Sequence, residues 1–363
     1  MIRVLRRTAR TLLNALQPPP SHVDWSIFFI VTFEVASGLI SFVHVSPASW
    51  PWFWAHRIAG LTLIALLAFK FIRVRDRVLD PGQWERSTHV SVLAGIVAIG
   101  ASLTGVVWVL GVDIRVARWT LLSIHVGLGL VLLPLVGLHL GTRFRPPSTD
   151  TFDRRRTSLK FIFLLLVGTV VYRMQEVLND LLGLHGATRR VTGSHPRQGS
   201  GNSAFPITSW VADDPEPIDP AEWSLTVQGQ VESPTEIEHG DLHHDDERRA
   251  LLDCTSGWYT IQRWRGIRVA DLLDEVDPHE DAQFVRFVSI TGYRWSLPID
   301  EARDALLATH VGNERLSHGH GAPLRLVAPG RRGFQWVKWI ERVDVRRRAD
   351  PAQWLVTLIS GFD

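Results

Sequence analysis

Five long apolar stretches dominate the chain between Trp25 and Tyr172, and no other feature of its 363 residues limits the fold as strongly. They run from Trp25 to Val45, Trp50 to Ile72, roughly Val90 to Val112, Trp119 to Leu140, and Leu159 to Tyr172. A helix needs about 20 mostly apolar residues to cross a bilayer, because lipid offers backbone polar groups no partner outside their own helix. The first four stretches meet that length. The fifth, apolar for about 14 residues, is the weakest and needs Lys160 and Arg173 as snorkelling ends. The expectation is an all-α transmembrane bundle of about five spans over residues 24–182, after a cytoplasmic segment 1–23.

Arginine placement orients that bundle. Arg3, Arg6, Arg7 and Arg10 precede the first stretch, and Arg73, Arg75, Arg77 and Arg86 separate the second from the third. Arg143, Arg145, Arg154, Arg155 and Arg156 separate the fourth from the fifth, while the alternate loops hold only Arg115 and Arg118. The positive-inside rule places the first group in the cytoplasm. Five crossings of the cell membrane then put everything after about residue 185 outside, with Trp50, Trp52, Trp54, Trp108 and Trp119 as an outer aromatic belt. Pro18, Pro19 and Pro20 interrupt the chain before the first stretch, which does not fit a cleavable signal. A net charge of +2 and the lack of basic blocks interleaved with aromatics argue against nucleic acid. Cys254 is the single cysteine, so no intrachain disulfide framework exists.

Histidines inside the apolar stretches carry the functional signal. His125 and His139 lie 14 residues apart on the fourth stretch, which returns a helix to within about 40° of the same face after a rise of about 21 Å. One helix can thus offer an axial nitrogen to two stacked haems, each needing a second ligand at matching depth. Counted from the outer face, His56 lies as deep as His125; counted from the inner face, His22 matches His139, with His89 as the competing inner ligand. Interfacial histidines without a ligand role are the plainer reading of His22, His44 and His89 taken singly. Gly60, Gly127 and Gly129 would admit a flat macrocycle. Glu34, mid-span on the first stretch, is a functional candidate because a carboxylate in lipid is costly; it suits a relay for quinone-linked protons or an interhelical hydrogen bond.

His22, Ser37-Gly38, Ala55-His56-Arg57, Ile124 to Gly127 and His139, in that order, resemble the membrane cytochrome b subunits of formate dehydrogenases and hydrogenases over about residues 20–142. The resemblance implies one or two b haems and electron exchange with the quinone pool.

Residues 183–205 read as a Gly/Ser/Asn/Pro tether, with His185 and His195 solvated. Beyond it, β-type runs at Trp223 to Val231, Phe284 to Ile290, Leu324 to Val327 and Trp336 to Val345 alternate with helical patterns at Val269 to Leu273 and Ile299 to Leu307. These predict a mixed α+β domain over 206–363. His239, His243 and His244 fall in an acidic segment and read as a solvated face. Cys254 opens a small-residue turn, Cys254-Thr255-Ser256-Gly257-Trp258, where it is either a small core residue or a soft metal ligand. His320, Arg325 and Lys338 would suit a phosphate-bearing ligand through charge-assisted bonds, or stand as surface charge.

Together these motifs, with Asp219 to Trp223 and the closing Trp354 to Phe362, resemble the sulfite oxidase family of molybdenum-cofactor domains over about 205–363. The resemblance implies Cys254 as the molybdenum thiolate and His320, Arg325 and Lys338 as molybdopterin phosphate contacts, with Trp258 and Tyr293 as candidate pocket walls. Ile359-Ser360 stands where sulfite oxidases carry a tyrosine, and no arginine near Phe205-Pro206 matches the sulfite-binding one. The cysteine motif lies nearer the periplasmic methionine-sulfoxide reductase branch, whose electrons come from a membrane haem partner. The expected function is a membrane-bound oxidoreductase moving electrons between quinone and a small S-oxide, N-oxide or oxyanion substrate. The alternatives are a haem-only electron carrier with a non-catalytic docking domain, and a metal site on His318-Gly319-His320.

Overall fold

The computed structural model describes residues 19–43, 47–117, 119–143, 155–209, 213–242 and 245–359. His44, Arg3 to Arg10, Arg118, Arg145, Arg154, His243, His244 and the closing Ser360 to Phe362 lie outside the described residues. The chain divides into two compact units, Met1–His195 and Pro196–Asp363.

In the first unit the apolar stretches form helices α1 (Pro20–Val43), α2 (Trp50–Val78), α3 (Arg86–Val109), α4 (Leu121–Arg143) and α5 (Arg155–Leu181). Helix α3 packs on α4, α1 on α2, and α2 on α5. Val31, Leu63, Val97, Ala98 and Leu132 interlock at one level, and Val23, Leu66 and Leu164 at another. Ile96, Leu103, Leu138 and Leu166 face outward, an arrangement that suits lipid rather than water. Four helices, Pro20–Val43, Arg86–Val109, Leu121–Gly141 and Ser158–Leu181, are long and apolar enough to cross a membrane. The fifth stretch, expected to be the weakest, is one of them. Helix α2 is not among the four, and it carries Arg57, Lys70 and Arg73. Those charges have partners: Arg57 donates to the Val191 carbonyl at 2.7 Å, and Lys70 and Arg73 reach the Asp24 carboxylate at 3.0 and 2.6 Å.

Residues 184–195, expected as free tether, fold against the ends of α3 and α5. Asn179 Nδ2 donates to the Val109 carbonyl at 3.0 Å, and Trp108 Nε1 to the Gly193 carbonyl at 2.8 Å. The His195 ring lies 3.3 Å from both the His185 and Trp108 carbonyls and is buried, not solvated. Trp108 is likewise buried rather than part of an outer belt, whereas Trp50, Trp52 and Trp119 stay exposed. Gly111 makes this collar possible: at φ +88° a Cβ there would lie 2.2 Å from the Gly186 nitrogen.

The second unit is a mixed α/β domain. Its strands are β1 (Ser224–Gly229), β2 (Thr235–Glu238), β3 (Asp246–Asp253), β4 (Trp258–Arg268), β5 (Phe284–Ser289), β6 (Arg294–Pro298), β7 (Leu306–Val311), β8 (Glu314–Arg315), β9 (Arg325–Val327) and β10 (Ile340–Arg346). Short helices α6 (Val269–Val276), α7 (Ile299–Arg303) and α8 (Gln353–Ile359) lie between and after them. In one sheet β4 has antiparallel neighbours β3 and β7, and β7 also pairs with β8 and β9. The other sheet runs β2-β1-β10-β5-β6, antiparallel except for the parallel pair β1 and β10. Along β4 the buried residues alternate, Trp258, Thr260, Gln262, Trp264 and Gly266, as a strand with one core face requires. Gly266 is forced by close approach, since a Cβ would fall 1.9 Å from the Leu307 carbonyl oxygen. The expected helix from Ile299 to Leu307 stops at Arg303, and Leu306–Val311 is instead a strand buried on both faces.

Gly111→Ala is expected to open the collar. Protease added to the detergent-solubilised wild type should spare residues 185–195, and the variant should be cut there, as mass spectrometry of the fragments would show; equal resistance would remove the structural role given to Gly111.

Candidate functional site

Cys254 follows the last residue of β3 and opens a tight turn into β4. Its N–H donates to the Trp258 carbonyl at 2.8 Å, its carbonyl accepts from Gly257 at 3.1 Å, and Gly257 takes φ +97°. The thiol is buried, 3.1 Å from the Ser256 hydroxyl. The turn is braced from the loop before β10. Arg332 donates to the Asp253 carboxylate at 2.7 Å and to the Cys254 carbonyl at 3.4 Å, and this ion pair is almost fully buried. Gly333 sits so close that a Cβ there would lie 3.0 Å from Cys254 Cα. The position of the sulfur is therefore set by two segments about 80 residues apart in sequence.

Two cations gather beside that sulfur. Arg325, the first residue of β9, is 4 % exposed, donates Nη1 to the His320 carbonyl at 2.8 Å, and lies over the rings of Trp264 and Trp336 at 5.6 and 6.0 Å. Its Nε is buried with no hydrogen-bond partner. Lys338 donates to the Gly319 carbonyl at 2.7 Å and to Ser209 at 3.0 Å, and lies 4.9 Å over the Trp339 ring. Trp339, immediately after it, is held at φ +49°, a strained conformation for a bulky residue. Among the described residues neither cation makes a salt bridge. Burial, with the neighbouring Arg325 charge, pulls the Lys338 ammonium down to about 7, against the pull of Asp213 and Cys254. Burial takes Arg325 down to about 10, with Cys254 favouring its charged form. Asp213, which no motif in the sequence singles out, is buried, and burial raises its pKa, opposed by Thr291 and Lys338. Its Oδ1 has no partner.

His320 arrives by another route. Its Nε2 faces the Phe205 carbonyl at 3.1 Å and must carry the proton, while Nδ1 meets the Ser317 hydroxyl at 2.8 Å. Burial lowers its pKa to about 4, so the ring is neutral at physiological pH. Trp258 is buried against Phe205 and donates Nε1 to Thr208 at 3.3 Å. The Tyr293 hydroxyl donates to the Phe334 carbonyl, on the same loop that braces Cys254. His318 bonds the Pro215 carbonyl at 2.8 Å, and no cluster of three metal-binding side chains occurs among the described residues. That removes the support for a His318-Gly319-His320 metal site.

Within the helical unit, His56 and His125 come together, with ring centroids 6.0 Å apart. His56 Nδ1 meets Ser37 Oγ at 3.0 Å and Glu34 Oε2 at 3.3 Å, and His125 Nδ1 lies 2.8 Å from the Ala101 carbonyl. Gly105 admits the His125 ring, since a Cβ would lie 3.1 Å from it. Neither Ala101 nor Gly105 gives a sequence signal. His139 Nδ1 meets Ser91 Oγ at 2.9 Å, His22 stacks on Phe161, and His89 bonds the Glu85 carbonyl at 2.9 Å on the exposed surface.

Comparison with known proteins bears on the second unit. Residues 212–354 match the family described as the oxidoreductase molybdopterin binding domain. Over 157 residues the chain is 32% identical to the protein-methionine-sulfoxide reductase catalytic subunit MsrP of Gluconobacter oxydans (strain 621H), covering 37% of this chain and 50% of that protein. The chain thus spans about half the length of this curated relative. The sulfane dehydrogenase SoxCD of Paracoccus pantotrophus is 24% identical, with a TM-score of 0.35 over 37% of this chain and 40% of that one. Residues 212–354 thus match a molybdopterin-binding oxidoreductase domain and are related in sequence to a methionine-sulfoxide reductase catalytic subunit.

Proposed function

We propose that this chain is a membrane-bound molybdenum-cofactor enzyme that exchanges electrons between the quinone pool and a small S- or N-oxide, with b haem held in its helical unit. The observation that carries the reading is the buried Cys254 thiol with two cations close to it, Arg325 buried and Lys338 half-buried, neither in a salt bridge among the described residues. A charge held in a protein interior is expensive, so an anion bound between Arg325 and Lys338 would offset that cost. The phosphate of a molybdopterin is such an anion, and Cys254 offers the soft thiolate that molybdenum takes. The residues fit the cofactor. When bound, it supplies two-electron oxygen-atom transfer.

The protein's own part is positional. Arg332 and Asp253 hold the Cys254 turn, and Trp258 and Tyr293 serve as walls. Neutral His320 orders the Phe205 segment and presents its own carbonyl to Arg325, so Arg325 and Lys338 are the main phosphate donors. The similarity to a methionine-sulfoxide reductase favours an S-oxide over sulfite, in keeping with Ile359-Ser360 in place of the tyrosine.

For haem the donor set also fits. His56 and His125 have Nδ1 engaged, which leaves Nε2 of each for iron, the usual arrangement in which a second partner fixes the tautomer of a ligating histidine. The two rings, with centroids 6.0 Å apart, would be the residues to hold one iron between them. His139 and His22, with His89 as the alternative, would serve an inner haem, whose bound iron supplies one-electron transfer. Helix α2 is read as a fifth crossing, since its 29 residues span about 43 Å and its charges are paired. That keeps the N-terminus cytoplasmic and the second unit outside.

Cys254→Ser is expected to keep its haem spectrum and lose S-oxide-dependent haem re-oxidation. A purely structural cysteine would instead lower stability by about 1–3 kcal/mol with turnover kept. Molybdenum content, melting temperature and turnover on one preparation separate the two. His125→Ala should lose the outer haem and its low-spin spectrum, and unchanged haem content would remove that assignment. Sulfate, which does not titrate near neutrality, should bind the molybdenum-free protein more weakly as pH rises above about 7, because Lys338 then loses its proton. Lys338→Met should bind it roughly tenfold more weakly and without that pH dependence, which calorimetry would show.

A further inference from the structure

The segment that precedes β1 is fastened along one side of the Cys254 site. His320 Nε2 meets the Phe205 carbonyl at 3.1 Å, Trp258 Nε1 donates to the Thr208 hydroxyl at 3.3 Å, and Lys338 donates to the Ser209 hydroxyl at 3.0 Å. Four residues after Ser209 the same segment buries a carboxyl, that of Asp213, which is 6 % exposed. Its surroundings belong to the site. Thr291 and Lys338 favour the ionised carboxyl, and burial and Asp214 oppose it. Thr291 follows Ile290, whose N–H donates to the Trp339 carbonyl at 3.0 Å, next to Lys338. Among the described residues no group bonds the buried Oδ1. A buried oxygen without a donor costs free energy, and packing alone would be met at less cost by an apolar side chain.

The phosphate proposed between Arg325 and Lys338 is a poor match for that oxygen, because it brings negative charge and lone pairs to an atom that already has both. An N–H group brings the proton that Oδ1 lacks. The pterin half of the same cofactor carries such groups, since its aminopyrimidinone edge sets a ring N–H beside an exocyclic amino group. Carboxyl oxygens accept from amino groups of the same kind on nucleobases.

We infer that Asp213 is a further cofactor-binding residue, which accepts a hydrogen bond from the N–H edge of the pterin and so selects a pterin over a bare anion. The role holds for either charge state: an ionised carboxyl offers two acceptor oxygens, and a protonated one still offers one. This inference rests on the molybdopterin reading given above. It divides recognition between Arg325 and Lys338, which answer the phosphate, and Asp213, which answers the ring.

The test uses the purified full-length protein, with haem content and melting temperature measured on every sample. During dialysis Asp213→Ala should lose molybdopterin roughly tenfold faster than the wild type, as fluorescence of the oxidised pterin would show. Asp213→Asn keeps one acceptor oxygen and should fall between the two. Sulfate should bind cofactor-free Asp213→Ala no more weakly than cofactor-free wild type at about pH 6, where Lys338 keeps its proton. Wild-type retention of molybdopterin in Asp213→Ala would overturn the inference. So would a parallel weakening of sulfate, which assigns the carboxyl to the anion, or a lower melting temperature of the cofactor-free variant, which makes it structural. If Asp213→Ala does not fold, Asp213→Asn decides: faster loss supports the role and an unchanged rate overturns it. A wild-type protein purified without molybdopterin would instead overturn the underlying reading.

Discussion

Arg325 and Lys338 lie beside the Cys254 thiol with no salt-bridge partner among the described residues, and much of the second unit is arranged to hold them there. Charge removed from water must be compensated, by an opposite charge, by hydrogen bonds or by a polarizable neighbour. Here the compensation is partial. Backbone carbonyls of Gly319 and His320 and the faces of Trp264, Trp336 and Trp339 support the cations. Among the described residues no carboxylate makes an ion pair with either cation, which is why an anion is proposed to join them. The Arg286, Arg294, Asp344 and Asp350 network of the same domain stands in contrast. There two buried carboxylates meet two arginines at 2.5 to 2.9 Å, and the charges are fully answered.

The same constraint acts in the helical unit with the sign reversed. Glu34 brings a carboxyl group into an apolar bundle, where its Oε2 lies 3.3 Å from the His56 imidazole. Several other polar groups of the unit are answered locally: Lys70 and Arg73 by Asp24, Arg57 by the Val191 carbonyl, Trp108 by Gly193. Where a buried polar group is answered, it is structural. At Arg325 and Glu34 one buried polar atom each has no hydrogen-bond partner among the described residues.

Much of this architecture is legible in the amino-acid order. The apolar runs announce the helices, and equal depth along neighbouring stretches pairs His56 with His125. The spacing of Cys254, His320, Arg325 and Lys338 is what the proposal for the second site draws on. What stays hidden is of one kind. Strands β3 and β4 escape notice because Asp246 to Arg249 and Arg263 to Arg265 look solvent-loving, although their alternation fits a sheet once a partner strand covers one side. The segment 184–195 resembles a tether because Gly, Ser and Arg are what tethers contain, yet its buried His195 and the Gly193 and Val191 carbonyls all find partners on the helices.

Composition and period, both local properties, establish which residues must leave water and which chemistry they can offer: long apolar helices, imidazoles at matched depth, one thiol and a set of basic side chains. The electrostatic state of each group is settled only in the folded chain, because it depends on neighbours far away in sequence. Folding makes Asp253 the partner of Arg332, 79 residues on, and leaves Arg325 with no carboxylate partner among the described residues. It turns His320 into a neutral wedge, draws Lys338 down to about 7, and puts a carboxylate behind His56 but a carbonyl behind His125. Coulomb and desolvation energies act through space, and distance in space is what a linear sequence does not carry.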